Sequence, residues 1–567
     1  MRQQFLCDGI ENFDFHVERR LECQKLSKLI LDGSYAPQRA QRILVEKSKG
    51  LCRQLVIPTV RDALVLQCLS DALYKQIRGK SPTDKAFFEP KEHKFSSVRS
   101  RYGTFASWLN FQKELFKFSK IRQYIVVTDI ANYYDTISYT HLRNAISGMT
   151  DAKECVLDML IFILSDLLWQ PDYSPRVEVG LPQINLDAPR LLAHCFLYEL
   201  DEYLASDPTR DFVRYMDDID IGVDDIVSAK NTLKSVDLVL QTKQVRLNSG
   251  KTQILTRKEA IRHFRVFENA RLDMLQARID RRLKVGLPVD RERRLVELRI
   301  RNGIRARKFD AGNGEKILKR WITLAARLGA KISPTMLDSL IRLRPNSREN
   351  VLAYIRSMPL TAARARTLQQ VLDSGWLIDD ASAVDLVNYL IETKVVSKYN
   401  IRLHIDSIIR HFDANTFYGF YCKIWMTSKY GSPQDIIQII QSNRSTWTSQ
   451  ERLGRLVGSL RPIMINSPFS MEYMAEISRS MNSGANDTNG FHVSLSESSI
   501  TFNKMKDALS NPNPSRGTNI THPKFLCLLS ALQNAKVTSI DRARLKENNK
   551  SAFEDVYYRE IHRISIK

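Results

Sequence analysis

Eight cysteines are scattered through the 567 residues, and no CxxC pair or Cys/His cluster stands among them. That excludes the usual spacings of a structural zinc site and favours free thiols in a reducing compartment. The first fifteen residues, MRQQFLCDGIENFDF, hold no uninterrupted apolar segment of the kind a secretory signal needs. The longest apolar run, VLDMLIFILSDLLW at 156–169, is too short to span a bilayer and is broken by Asp158 and Asp166; it reads as a buried helix. No membrane partner is expected, and the expected location is the cytoplasm. Negative charge is also in deficit, with 63 Asp and Glu against 85 Lys and Arg, a net charge of +22. Such an excess fits a polyanionic partner, with nucleic acid the default.

Strand signals are confined to the first half of the chain. QYIVVTDI, DFVRYM and IDIGV carry β-branched or alternating apolar patterns, while LRNAISGM and RLLAHCFLYELDEYL carry helical ones. This interleaving predicts an α+β domain over 1–268. A basic helical segment follows at 269–330, with a break at VGLPVD. From 331 to 567 the pattern is helical, punctuated by SPTM, RPNS, SMPLT and YGSPQD at the spacing of HEAT-like helical hairpins, without a crisp repeat motif. SMNSGANDTNG (480–490) and SNPNPSRGTNITHP (510–523) read as exposed loops.

Within DFVRYMDDIDIGV, two period-2 runs flank Asp217 and Asp218, the pattern of a β-hairpin with an acidic tip. Taken alone, that tip is either simple turn chemistry or half of a catalytic site. Asp129 ends the apolar run Ile125–Val127, where a carboxylate can point across at a hairpin tip. Three carboxylates brought together repel one another and raise their pKa values unless cations sit among them. Mg²⁺ suits such oxygen ligands and bridges to phosphates. Further along the chain are a basic cluster (Lys47, Lys49, Arg53) before QLVIP, a GLPQ turn holding Gln183 ahead of a long amphipathic helix, and Lys251 in LNSGKT. Each has a plainer reading: a solvated loop for the basic cluster, where that reading normally wins, turn chemistry for Gln183 and an exposed loop lysine for Lys251.

In their order, the basic loop before IPTVRD, then DIANYYD, GLPQ with its helix, YMDD and LNSGKT, these segments resemble the reverse transcriptase family over roughly residues 30–255. The resemblance implies a right-hand polymerase of fingers and palm followed by the helical C-terminus. It implies two Mg²⁺ ions, with Mn²⁺ as a substitute, held by Asp129, Asp217, Asp218 and the carbonyl of Ile130. Lys49 and Arg53 would grip a dNTP triphosphate, Gln183 would line the nucleotide pocket, and Lys251 would neutralise pyrophosphate. Tyr134 falls where the family places its sugar gate, a ring that clashes with a 2′-hydroxyl. DGSYAPQRA (32–40) resembles the fingers segment before the basic loop.

Two departures refine the resemblance. Family members that copy long templates usually carry LPQG followed by a Ser-Pro pair; here Ile184 replaces the Gly and Ala188 the Ser, while Pro189 remains. No maturase-like or HNH-type pattern is present, and about 300 helical residues follow the palm. The combination resembles the bacterial abortive-infection and defence-associated (UG/Abi) reverse transcriptases, several of which form oligomers. Members make DNA without a nucleic-acid template from a protein hydroxyl, or copy a partner non-coding RNA. The alternatives are a templated retron- or intron-like enzyme and an inactive polymerase-like scaffold. Residues 271–308 carry thirteen Lys/Arg against five Asp/Glu. There Arg281, Arg282, Arg293, Arg294, Arg301 and Arg305 are expected to meet nucleic-acid phosphates, a charged solvated helix being the plainer reading. The aromatics of FYGFYCKIWMTSKY (417–430) serve as core packing or as base-stacking platforms, and tyrosines are candidate protein primers.

Overall fold

The computed structural model describes residues 6–89, 102–170, 177–398, 400–511 and 520–566. Its strands form two small antiparallel sheets. β1 (Gln41–Ser48) and β2 (Leu51–Ile57) make a hairpin. β3 (Tyr124–Asp129), β4 (Asp211–Tyr215), β5 (Asp218–Val223) and β6 (Gln253–Thr256) make a four-stranded sheet in the order β4-β5-β3-β6. The segment containing Lys47, Lys49 and Arg53 is therefore this hairpin and not an open loop.

Register decides which residues share a face of the larger sheet. Val126, Ile219, Ile221 and Val223 pack on one side against the helices Val60–Ile77, Glu154–Leu167 and Asp187–Cys195. Ile125, Val127, Val213 and Tyr215 pack on the other against the helices Phe105–Phe118 and Arg257–His263. Both faces are covered, so even the polar positions of DFVRYMDDIDIGV lie inside: Arg214 is fully buried and Asp220 nearly so. The apolar run at 156–169 is the buried helix expected of it. Among the described residues no helix is long and apolar enough to cross a membrane.

The helix read as continuous from the GLPQ turn is two helices, Asp187–Cys195 and Tyr198–Ala205, parted at Phe196 and Leu197. The break expected at VGLPVD separates Val266–Lys284 from Asp290–Arg305. Beyond residue 313 the described residues form helices and their connections. From Gly314–Leu328 to Phe417–Tyr430, each helix packs on its second neighbour, giving two stacked layers. One apolar core joins these helices to Leu272 and Ile300 of the basic segment and to Leu6, Ile10, Ile43 and Ile57 near the N-terminus.

SMNSGANDTNG is not an exposed loop. The Asn482 side chain caps a helix, Ser483–Glu497, which packs closely against Glu451–Ser459. Small residues permit that approach: a Cβ on Gly458 would lie 2.2 Å from Thr488 Oγ1, and one on Gly454 would lie 1.9 Å from Asn482 Oδ1. The second stretch, 510–523, falls largely outside the described residues. Phe420, Tyr421 and Trp425 are buried, so the 417–430 aromatics are core.

Candidate active site

The YMDD segment turns one residue earlier than its spacing suggests. Tyr215 pairs with Asp218, so Met216 and Asp217 form the two-residue turn and Asp218 opens β5. The positive φ the turn requires falls on Met216 (φ 61°), not on an aspartate. A residue that sequence reasoning passed over holds this conformation. Arg214 donates from Nη1 to the Met216 carbonyl (2.9 Å) and from Nε to Asp201 Oδ1 (2.6 Å), with both side chains fully buried. The alternation rule assigns Arg214 to solvent, and Asp201 lies in a helix thirteen residues away. Nothing local in the sequence signals the pair.

Asp129 ends β3 directly opposite Asp218. Ile130 N–H donates to the Asp217 carbonyl (3.3 Å), and Asn248 N–H donates to the Asp129 carbonyl (2.8 Å). These bonds close the strand end onto the turn on one side and onto LNSGKT on the other. Lys251 reaches back from LNSGKT to ion-pair with Asp129 Oδ2, while buried Oδ1 has no hydrogen-bond partner. Asp129, Asp217 and Asp218 thus converge, as expected, with Lys251 beside them and Ile130 buried directly after β3.

The electrostatics follow from this crowding. Burial, then the adjacent Asp218 and Asp129, pushes Asp217 up to about 6. Asp218 is open to solvent at its outer edge, yet the protein packed around it raises its pKa, opposed first by Lys316. Asp220, two positions further on the same face, is driven well above the usual carboxylate range by burial and by Asp218. Lys316 belongs to the helix Gly314–Leu328, far along the chain, and no local motif pointed to it. Burial lowers Lys47, aided by the cations Lys251 and Arg53 and opposed by Asp129 and Asp217. Lys47 is thus the hairpin lysine among the site charges. Lys49 sits at the exposed turn with φ 52°, where the β1–β2 reversal places it.

Tyr134 stands on the flank of the carboxylates. Burial raises its hydroxyl pKa far above the ordinary range, with Arg190 and Arg53 opposing and Asp217 adding. The GLPQ turn docks here. Gly180, at φ 109°, donates to the Ile137 carbonyl (2.9 Å), and Leu181 N–H donates to the Tyr134 carbonyl (2.7 Å). This sets Gln183 between the hairpin, where Val56 N–H donates to its carbonyl (3.1 Å), and Asp135, which accepts from its Nε2 at 3.4 Å.

The arginines of the basic segment divide. Arg281, Arg294, Arg301 and Arg305 are exposed. Arg282 donates to the Pro288 carbonyl (2.9 and 2.7 Å), and Arg293 pairs with Asp290 (2.6 Å), so these two also hold local structure.

The donor set is of the oxygen type that divalent cations take, but among the described residues no three His, Cys, Asp or Glu side chains are drawn together closely enough to hold a metal ion. The set comprises three carboxylates at one strand end, one buried oxygen without a partner, a raised Asp217, and an ammonium group against Asp129.

No family model matches the chain. Over 207 residues it is 26% identical to Protein YkfC of Escherichia coli (strain K12), a match covering 35% of this chain. The chain spans about half the length of that curated relative, 49%. Among solved structures it aligns with apo telomerase from Candida tropicalis at 11% identity and a TM-score of 0.30, covering 78% of this chain and 74% of that one. It also aligns with telomerase from Candida albicans in complex with a TWJ fragment of telomeric RNA, at 11% identity and a TM-score of 0.30, covering 73% and 63%. TM-scores this low carry no weight for fold or function.

Proposed function

We propose that the chain is a reverse transcriptase-type DNA polymerase that builds DNA from dNTPs and acts in bacterial phage defence. The observation that carries the reading is the convergence of Asp129, Asp217 and Asp218 at one end of the sheet, flanked by Tyr134 and by the Lys47 and Arg53 side of the hairpin.

In this reading Asp129, Asp217 and Asp218, with the Ile130 carbonyl, hold two Mg²⁺ ions. When bound, such ions supply the charge that activates a 3′-hydroxyl and stabilises leaving pyrophosphate. Lys47 and Arg53 hold the triphosphate by charge-assisted hydrogen bonds. The Tyr134 ring leaves no room for a 2′-hydroxyl and selects dNTPs. Gln183 lines the sugar and base side of the pocket, and Lys251 neutralises the departing pyrophosphate. Arg281, Arg294, Arg301 and Arg305 contact the phosphates of the nucleic acid, a single-stranded DNA product or a non-coding RNA template.

The defence role rests on Ile184 and Ala188 in place of the usual Gly and Ser, and on the helical domain where a template-copying enzyme has a thumb. Synthesis is then primed from a protein hydroxyl or templated by a partner RNA, in an enzyme that assembles with copies of itself. Incubating the purified chain with labelled dNTPs, followed by protease and nuclease digestion and sequencing, tests this. Label in DNA that depends on Mg²⁺ and on Asp217 supports polymerase action. Protein-linked product of untemplated sequence supports the defence subtype.

A further inference from the structure

The helical domain and the fingers hairpin share a buried ion network. Arg348 donates from Nη2 to Glu46 Oε2 (2.8 Å), and from Nη1 to Asp379 Oδ1 (2.9 Å) and Ser382 Oγ (2.7 Å). Its Nε donates to the Ile341 carbonyl (2.6 Å). The three charged side chains are almost wholly buried, at 5% exposure for Arg348, 9% for Glu46 and 1% for Asp379. A network this dry is stable only when every member is satisfied.

Glu46 has a second task. Its Oε1 accepts from Gly50 N–H (3.2 Å), which fixes the reversal built from the left-handed pair Lys49 and Gly50. The ladder slips between Glu46 and Ser48, leaving Lys47 as the irregular residue. One carboxylate therefore docks to the helical domain and shapes the turn that carries Lys47. The free edge of β1 is held from the same side. The Tyr418 hydroxyl donates to the Arg42 carbonyl and accepts from Gln41 Nε2 (3.3 Å). An unpaired strand edge is otherwise an exposed row of donors and acceptors.

We propose that Arg348 is a positioning residue for the nucleotide site: through Glu46 it holds the fingers hairpin so that Lys47 and Arg53 face the carboxylates. This deepens the polymerase reading and rests on it. The helical domain is then a working part of the triphosphate grip and not an appended module.

The test uses the full chain and two variants that reach the network from opposite sides, Arg348→Ala and the near-isosteric Glu46→Gln. Arg348→Lys serves as the conservative control. Hydrogen exchange across residues 41–57 is read alongside dNTP kinetics. Both variants are expected to lose protection in the hairpin while the helices beyond residue 417 keep theirs. The KM for dNTP should rise about tenfold with kcat within about twofold, and Arg348→Lys should recover part of the loss. Unchanged hairpin protection, or an unchanged KM in a folded variant, overturns the proposal. So does protection lost evenly through the helical domain with kcat and kcat/KM falling together, the mark of a merely structural residue. If the wild type incorporates nothing, the polymerase reading fails, and hairpin exchange still decides whether Arg348 positions the hairpin.

Discussion

Asp129 and Asp218 are directly opposed across the β3–β5 ladder, with Asp217 in the adjoining turn. Carboxylates set so close destabilise the fold when all are ionised and no cation is bound. Asp217, raised to about 6, holds its proton more tightly in the folded state than in the unfolded chain. Its contribution to stability is therefore full below the ordinary carboxylate range and lost as the pH rises through about 6. A shift of that size corresponds to about 3 kcal/mol, less for a partly exposed group. Asp217→Asn should accordingly stabilise the chain by about 1–3 kcal/mol near pH 8 in chelator, and by almost nothing near pH 4. Denaturant unfolding at the two pH values measures the difference.

The two hairpin lysines should behave differently. Both side chains are exposed; Lys47 feels the charges of Lys251, Arg53, Asp129 and Asp217, and Lys49 sits at the left-handed turn itself. Lys47→Ala should raise the KM for dNTP about tenfold, equivalent to about 1.4 kcal/mol. Lys49→Ala should leave it within about twofold. Steady-state incorporation at varied dNTP concentration separates them.

Tyr134 borders Asp217 and Arg53. Truncation to Ala opens space at the position assigned to the nucleotide 2′ carbon. The ratio of rNTP to dNTP incorporation should then rise about tenfold or more. Competition assays with the two nucleotide classes report that ratio, and an unchanged ratio removes Tyr134 from the role of gate.

The buried pair of Arg214 and Asp201 makes a prediction about the turn. Arg214→Met strands the Asp201 carboxylate and frees the Met216 carbonyl. It should cost about 3–5 kcal/mol, whereas removing both charges with Asp201→Leu should recover much of that loss. Stability measured for the single and double variants gives the coupling, and incorporation by the stable double variant shows how far the turn relies on Arg214.

Residues that act through neighbouring chain were legible in the sequence. The strand end at Asp129, the YMDD hairpin, the GLPQ turn and the LNSGKT lysine all carry local signals, and the structure brings them together. Errors arose where tertiary packing overrode a local pattern. Period-2 alternation does not reveal that both faces of the sheet are covered, so the burial of Arg214 and Asp220 had no local signal. Polar and glycine-rich composition marks loops, yet Gly454, Gly458 and Gly484 instead let two helices approach closely. Lys47 and Lys49 cannot be told apart by composition, because a ladder irregularity at the one and a left-handed turn at the other set their different surroundings. Lys316 lies about 100 residues from Asp218 and Arg348 lies 302 residues from Glu46, and no spacing rule reaches that far.

Incorporation of labelled dNTPs by the purified full-length chain, with and without Mg²⁺ and beside folded Asp129→Ala and Asp217→Ala variants, tests the central claim most directly. The account predicts polymeric DNA from the wild type with Mg²⁺, none in chelator, and loss of at least about a thousandfold in either variant, or about 4 kcal/mol of transition-state stabilisation. Normal incorporation by a folded Asp217→Ala protein, or no nucleotide incorporation by the wild type under any metal condition, would contradict it.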